Sequence, residues 1–437
     1  MPPVARLVLA AGGGLIALLP LLSGSNYYLF LATLVAIYAI VGVGLNLLVG
    51  YLGQVSLGHA AFFAFGAYTA AMVGKALDGV SLLKASGLHL WAGLVLGVLV
   101  AALVGAAVAY PALRVKGPYL AMVTIAFGII VFSVLMEWTA FTGGPLGITA
   151  IPKLHVGGFV LRGPWFYVLC LACLGGVLVF QRNWVGSPRG RSFQAVKQSA
   201  VAAAAVGISV HGTKLAGFVL SAALTGLAGG LFAFHQAYIS PDSFEFLHSI
   251  FFVLIIIFGG KGTLLGPVVG ALCLTLLPEM LHRFEQFRLI VYGGLLVAVM
   301  YGLPQGVVGA AEQWLGRWRS AGRARPRVGA ADRTSAPAAI DRVPARPPRA
   351  ATHLLRLEGL GMQFGGLRAV DGLDLEVRPG AIHALIGPNG AGKTTLFNTV
   401  SGMFAPDAGT IRLGGRPIQG EPADRVAGLG LTRSFQI

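Results

Sequence analysis

The sequence predicts a mixed fold: a polytopic all-α membrane domain of about ten spans, followed by part of a soluble α/β domain. Three observations carry this expectation. Of the 437 residues 56% are hydrophobic and 11% charged, with a mean hydropathy of +0.77. Soluble domains carry roughly 25% charged residues. Apolar segments recur near 4–22, 28–49, 55–77, 91–110, 119–136, 164–181, 214–235, 246–260, 264–280 and 289–303. From Leu354 onward the pattern changes to the polar–apolar alternation of half-buried strands, as in Leu355-Arg356-Leu357-Glu358 and Leu373-Asp374-Leu375-Glu376-Val377.

Several of the ten segments fall short of the roughly 20 residues that cross a bilayer. Those at 246–260 and 264–280, separated by Gly259-Gly260-Lys261-Gly262, fit two spans or one broken, re-entrant unit. At the N-terminus, Arg6 followed by apolar Leu7–Leu22 and Ser23-Gly24-Ser25 fits a secretory leader or a first span with its charged end inside. The spans that follow favour the second. Cys170 and Cys173 form a C-x-x-C inside an apolar run, where they read as small residues of a membrane helix rather than as a redox or metal site.

The net charge of +16 is informative through its location. Between Arg317 and Arg356 stand ten arginines against Asp332 and Asp341, which gives this segment +8. Rich in Arg, Ala and Pro, it cannot bury a core and reads as a cytoplasmic linker over 311–352. Its charge suits anionic lipid headgroups. Beyond Trp314 and Trp318 at its start, no aromatic or folded recognition element accompanies it, so nucleic acid is not an expected partner. With the N-terminus inside, Arg114, Lys116, Arg182, Arg189, Arg191, Lys197, Lys214 and Lys261 fall in inner loops, as the positive-inside tendency requires. The outer loops then hold Asp78, Glu137, Asp242, Glu245 and Glu285 together with several cations. An even number of spans places both termini in the cytoplasm. The expected domains are therefore a transmembrane domain over 1–310, the linker, and a nucleotide-binding part over 353–437.

Gly387-Pro388-Asn389-Gly390-Ala391-Gly392-Lys393-Thr394 meets the phosphate-loop pattern G-x-x-x-x-G-K-[ST] at every fixed position. Apolar Ile382-His383-Ala384-Leu385-Ile386 before it reads as a buried strand, and Thr394–Val400 as the first turns of a helix. In that context the glycines let backbone N–H groups wrap phosphates and the helix N-terminus favours their charge. Lys393 is expected to neutralise the β- and γ-phosphates, and the Thr394 hydroxyl to ligate Mg²⁺, with Thr395 beside it.

The C-terminal segment resembles the ATP-binding (LivG-type) subunit of branched-chain amino acid ABC importers. The resemblance rests on Phe364-Gly365-Gly366-Leu367-Arg368-Ala369-Val370-Asp371, the loop Gly387–Thr395, and Thr432-Arg433-Ser434-Phe435-Gln436. It implies that Phe364 stacks on adenine, an interaction worth about 1–3 kcal/mol where bases meet aromatic faces. It also implies that Gln436 senses Mg²⁺ and the γ-phosphate. The first 310 residues resemble the matching permease (LivM-type) through Gly44–Tyr51, Gln54–Ala60, Lys116–Ala121, Thr142–Ile148 and Phe258–Pro267. An all-helical importer fed by an extracytoplasmic solute-binding protein, in the cytoplasmic (inner) membrane, follows from that likeness. So does a coupling segment at Gly190-Arg191-Ser192-Phe193-Gln194-Ala195-Val196 that docks on the ATPase. Relatives usually carry acids after this point, whereas this chain has Lys197-Gln198-Ser199-Ala200.

Polar groups inside a membrane are the default substrate contacts. Asn46, Gln54, Ser56 and His59 cluster at a glycine-broken span boundary between Gly50 and Gly58. Helix capping and packing are the competing role for them. No LSGGQ-like signature, Walker B acid pair or switch histidine follows Gln436. The expectation is at most weak nucleotide binding by this chain alone, as a fragment or a truncated coding sequence, with no catalytic residue assigned. The leading function is ATP-driven import with a second permease and a second ATP-binding subunit as partners. A nucleotide-binding membrane protein without turnover is the alternative, and an ABC exporter is disfavoured by the many short spans.

Overall fold

The computed structural model describes residues 20–22, 24–78, 85–113, 118–280, 290, 293–294, 297, 302, 305–321, 354–388 and 390–434. The chain divides into two units. One comprises Met1–Lys197 with His211–Trp318, the other Gln198–Val210 with Arg319–Ile437.

The first unit is helical. Its elements are α1 (Asn26–Leu45, prolonged by a π-helical turn Asn46–Tyr51), α2 (His59–Ala76), α3 (Leu88–Ala112), α4 (Pro118–Glu137), the small hairpin β1 (His155–Val156) and β2 (Phe159–Val160), and α5 (Pro164–Gly186). After them come α6 (Pro188–Gln198), α8 (Val210–Gln236), α9 (Phe246–Gly259), α10 (Gly266–Met280) and α11 (Gly306–Ala321); α7 (Ala200–Ala205) belongs to the second unit. Among the described residues six helices are long and apolar enough to cross a membrane: Asn26–Tyr51, α3, Tyr119–Glu137, α5, α8 and Pro241–Gly259. The apolar stretch Gly266–Glu279 is shorter. Ten spans are therefore not reached within this set. The segment expected at 4–22 lies outside the described residues except for 20–22, and most of 289–303 lies outside them too. The segment expected at 55–77 shortens to α2, because residues 53–58 form no helix.

Packing follows the small residues, as it must where lipid removes the hydrophobic drive for helices to associate. α1 is the most enclosed span at 72% buried, followed by α8 at 61%, while Tyr119–Glu137 in α4 is 22% buried. α2 lies along α3, and α1 packs on α5, α9 and α10. Gly66 of α2 is where backbones touch: a methyl group there would run into the Gly226 carbonyl oxygen of α8. α9 and α10 pack closely on each other around the Gly259–Gly262 break.

In the second unit a four-stranded antiparallel sheet runs in the order β4 (Leu367–Val377), β3 (Leu355–Phe364), β5 (Ala408–Leu413), β6 (Arg416–Pro417). The two alternating stretches seen in the sequence lie in β3 and β4, with Leu357 opposite Leu375. α12 (Lys393–Val400) places Leu396 and Val400 in a core with Leu357, Leu360, Ile411, Ile418 and Val426, the last from α13 (Ala423–Gly428). α7, capped by the Ser199 hydroxyl accepting from the Ala202 N–H at 3.2 Å, packs on α13.

Two sequence expectations change here. The run Ile382–Ile386 is not a strand and is not buried: Ile382 is 99% and Ile386 90% exposed. A strand needs a ladder partner, and no described residue pairs with this run. The linker drawn at 311–352 begins later, because α11 continues to Ala321 through the helix-favouring Ala310-Ala311-Glu312-Gln313.

Candidate functional site: a phosphate loop and a broken membrane helix

The loop at 387–395 is built on glycine. Gly390 and Gly392 have φ of +88° and +75°. A side chain at Gly392 would also strike the Ala369 carbonyl oxygen of β4, which backs the loop. Gly392 ends the loop as the residue preceding α12, so Lys393, Thr394 and Thr395 stand in the first helical turn, where N–H groups have no intrahelical acceptor. Lys393 Nζ donates to the carbonyls of Gly387 (2.5 Å) and Pro388 (2.6 Å), which curls the ammonium over the loop. Thr394 is exposed; Ala391 N–H bonds the Pro388 carbonyl at 3.3 Å. Phe364 closes β3, 44% exposed and edge-on to Phe404 at 5.4 Å between centroids. The arrangement fits a nucleoside triphosphate: an open glycine cradle, a helix start, one ammonium and an exposed aromatic face. Asn389 and Gln436 lie outside the described residues.

In the helical unit, α1 gives way to the π-turn and then to the irregular stretch 53–58, and α2 begins at His59. Backbone freed inside a membrane domain must be satisfied by neighbours, and hydroxyls of two helices supply this. Thr124 of α4 accepts from the Leu57 N–H at 3.0 Å, and Ser249 of α9 from the Ala60 N–H at 3.0 Å. His59, fully buried, bridges Ser56 Oγ (3.1 Å, Nδ1) and Ser221 Oγ of α8 (2.7 Å, Nε2). Asn46, also fully buried, accepts the Gly262 N–H at 2.7 Å and donates to the Thr263 carbonyl at 2.8 Å, tying the π-turn to the α9–α10 break. Gln54 is half-buried, and its side chain has no hydrogen-bond partner among the described residues.

Residues 27–300 match the family described as branched-chain amino acid transport system permease component, and residues 370–432 match the ABC transporter family. The first match covers well over half of the chain.

The chain belongs to the branched-chain amino acid transport system permease family.

The permease protein LivM of Escherichia coli K12 is 34% identical over 302 residues, which are 64% of this chain and 69% of LivM. The ATP-binding protein LivG of Salmonella typhimurium is 51% identical over 83 residues, 19% of this chain and 32% of LivG. BraF of Pseudomonas aeruginosa is 49% identical over 83 residues, with the same coverage. The chain thus spans about a third of the length of the ATP-binding relatives. It joins a permease of this family to an ABC transporter segment.

Within the permease, sequence reasoning found the break but missed those who brace it. Thr124, Ser221, Ser249 and Lys197 all bond to it, and their signal was present: hydroxyls inside apolar helices, and a cation where acids were expected. Lys197, at the end of α6, donates to the Gly50 carbonyl at 2.5 Å. On the same helix Phe193, Val196 and Gly190 are buried and Arg191 is exposed. Asn46→Ala should show how much the staple matters. It orphans a donor and an acceptor in an enclosed region, a loss of about 2–4 kcal/mol, and thermal unfolding in detergent should fall by roughly 5 °C or more.

Proposed function

We propose that this chain is the fused permease and ATP-binding subunit of an ATP-driven importer of branched-chain amino acids. It resides in the cytoplasmic (inner) membrane with both termini in the cytoplasm. The observation that carries the reading is the joining, in one chain, of the permease match over 27–300 and the phosphate loop inside the ABC match over 370–432. Two such units per transporter require a second permease subunit and a second ATP-binding subunit, and an extracytoplasmic solute-binding protein delivers the amino acid.

ATP is held by Gly387, Pro388, Asn389, Gly390, Ala391, Gly392 and Lys393 around the phosphates, with Phe364 against adenine. Thr394 and Gln436, with Thr395 adjacent, would hold Mg²⁺, which would supply neutralisation of phosphate charge. Movement at the nucleotide reaches the membrane part through the segment 186–214, with Gly190, Arg191, Phe193 and Val196 on its α6 portion. Lys197 supports this role, because its bond to the Gly50 carbonyl ties α6 directly to the broken helix. A shift of α6 then bends the stretch 53–58, the place where Asn46, Gln54, Ser56 and His59 gather. Ser56, His59 and Asn46 hold the break together, and Gln54 offers its amide to the passing solute.

The test is leucine uptake into proteoliposomes containing this chain, the complete partner subunits and the solute-binding protein. ATP-dependent accumulation is expected; its absence while the partner ATPase turns over would end the proposal. A second reading, a permease whose nucleotide segment does not turn over, is favoured by the bare apolar run Ile382–Ile386 beside the loop. It predicts the same uptake with no effect of loop substitutions in this chain.

A further inference from the structure

Away from the break, a cavity of about 280 Å³ opens where three helices end together. Its wall includes Asn26 and Phe30 from the start of α1, Arg162 just before α5 and Phe166 in its first turn, His235 from the end of α8, and Lys153 from the loop before β1. His235 is stacked between Phe30, at 4.4 Å between centroids, and Phe166, at 5.9 Å. Its Nε2 lies 3.2 Å from the Phe30 carbonyl. Bonding to a carbonyl makes Nε2 the protonated nitrogen and leaves Nδ1 as an acceptor in the neutral ring. Lys153 and Arg162 are both exposed, and no carboxylate pairs with either among the described residues. Among the described residues no acid lines the cavity.

We infer that this cavity binds the phosphodiester headgroup of an anionic phospholipid. The charge sets the class: two cations with no lining acid match a net monoanion, whereas a zwitterion leaves its ammonium without an ionic partner. Placement sets the source. The cavity lies at the ends of apolar helices, the level of a membrane–water boundary, and Tyr27, Tyr28 and Trp165, next in sequence to lining residues, are exposed as interfacial aromatics are, Tyr27 with its hydroxyl on Glu279. The starts of α1 and α5 bring the positive ends of two helix dipoles to the cavity, against one negative end from the C-terminus of α8. Asn26 and His235 Nδ1 suit the hydroxyls of a glycerol headgroup, and the apolar flanks of α1 and α5 lead from the mouth toward the acyl chains.

Native mass spectrometry of the full chain, released from nanodiscs of phosphatidylcholine with graded phosphatidylglycerol, tests this. One phosphatidylglycerol per chain should be retained in preference to phosphatidylcholine. The double variant Lys153→Ala, Arg162→Ala should lower retention about 30-fold, given two cations near an anionic headgroup, while Lys153→Arg, Arg162→Lys should keep it. Both side chains are exposed, so the unfolding midpoint in lipid-free detergent should not move; should it move, Lys153→Gln alone gives the same comparison. Equal retention by the alanine variant overturns the inference. Displacement of the lipid by millimolar glycerol phosphate overturns it in favour of a free phosphate, and displacement by leucine in favour of an amino-acid site.

Discussion

Lys393→Ala is expected to weaken ATP binding by the chain at least ~30-fold, the loss of about 2 kcal/mol or more that follows from removing one partner of a close charge pair. The loop is otherwise made of backbone: Gly390 and Gly392 in left-handed conformations, N–H groups at the start of α12, and carbonyls from Gly387 and Pro388. Lys393 carries the full positive charge of this cradle, and it is held over the loop by those two carbonyls. A nucleotide arriving with its γ-phosphate exchanges these two neutral acceptors for anionic ones, which bind an ammonium roughly twice as strongly. The side chain stands at the surface, and α12 is anchored from its other face by Leu396 and Val400. Binding should therefore collapse while the unfolding midpoint stays within a degree or so of the parent. Titration of a fluorescent ATP analogue against the full chain in detergent reads the first, and thermal unfolding reads the second. An affinity within threefold of the parent would mean that the loop does not grip a triphosphate.

The phosphate loop was legible because its chemistry is local: glycine, lysine and threonine at fixed spacing make the cradle whatever surrounds them. The broken span was legible for a similar reason, since Gly50, Gly53 and Gly58 interrupt an apolar run over a few residues. What the sequence concealed was who satisfies the break. The partners of Leu57, Ala60 and His59 come from α4, α9 and α8, with Ser221 lying 162 residues beyond His59. No periodicity reports a contact of that range. Asn46 shows the ambiguity in the other direction. A buried amide in a membrane helix looks like a ligand contact, yet both ends of this one are taken by the backbone at Gly262 and Thr263. The run Ile382–Ile386 misled because apolar character predicts burial only where a neighbouring strand exists to cover it, and the sheet β4-β3-β5-β6 offers none. Lys197 was noticed as a departure in charge. Its bond to Gly50 explains why a cation stands there, because a carbonyl at the end of a helical turn is a place where positive charge is favourable.

Gly66→Val should destabilise the helical unit by about 3 kcal/mol or more, at or beyond the upper end of the usual cost of overpacking. Most overpacked sites relax by rotating a side chain, and this one cannot. The nearest atoms to a side chain at position 66 are the carbonyl oxygen, carbonyl carbon and Cα of Gly226, all main chain of α8. Gly226 in turn sits against Ala101 and the Gly97 carbonyl of α3, so α8 has no room to retreat from α2. Separating the helices would break the seam that keeps Ser221, one turn and a half earlier on α8, within 2.7 Å of His59. Loss of packing there should therefore carry into the broken span as well as lowering the unfolding midpoint. Gly175→Val on α5 is the matched control, since nothing lies within 4 Å of a side chain at that position. The measurement is monodispersity and thermal unfolding of both variants in the same detergent. Parent-like behaviour of Gly175→Val beside an aggregated or strongly destabilised Gly66→Val is expected. Equal behaviour of the two would mean that α2 and α8 do not meet backbone to backbone, and the hydrogen bond between His59 and Ser221 would lose its structural support with them.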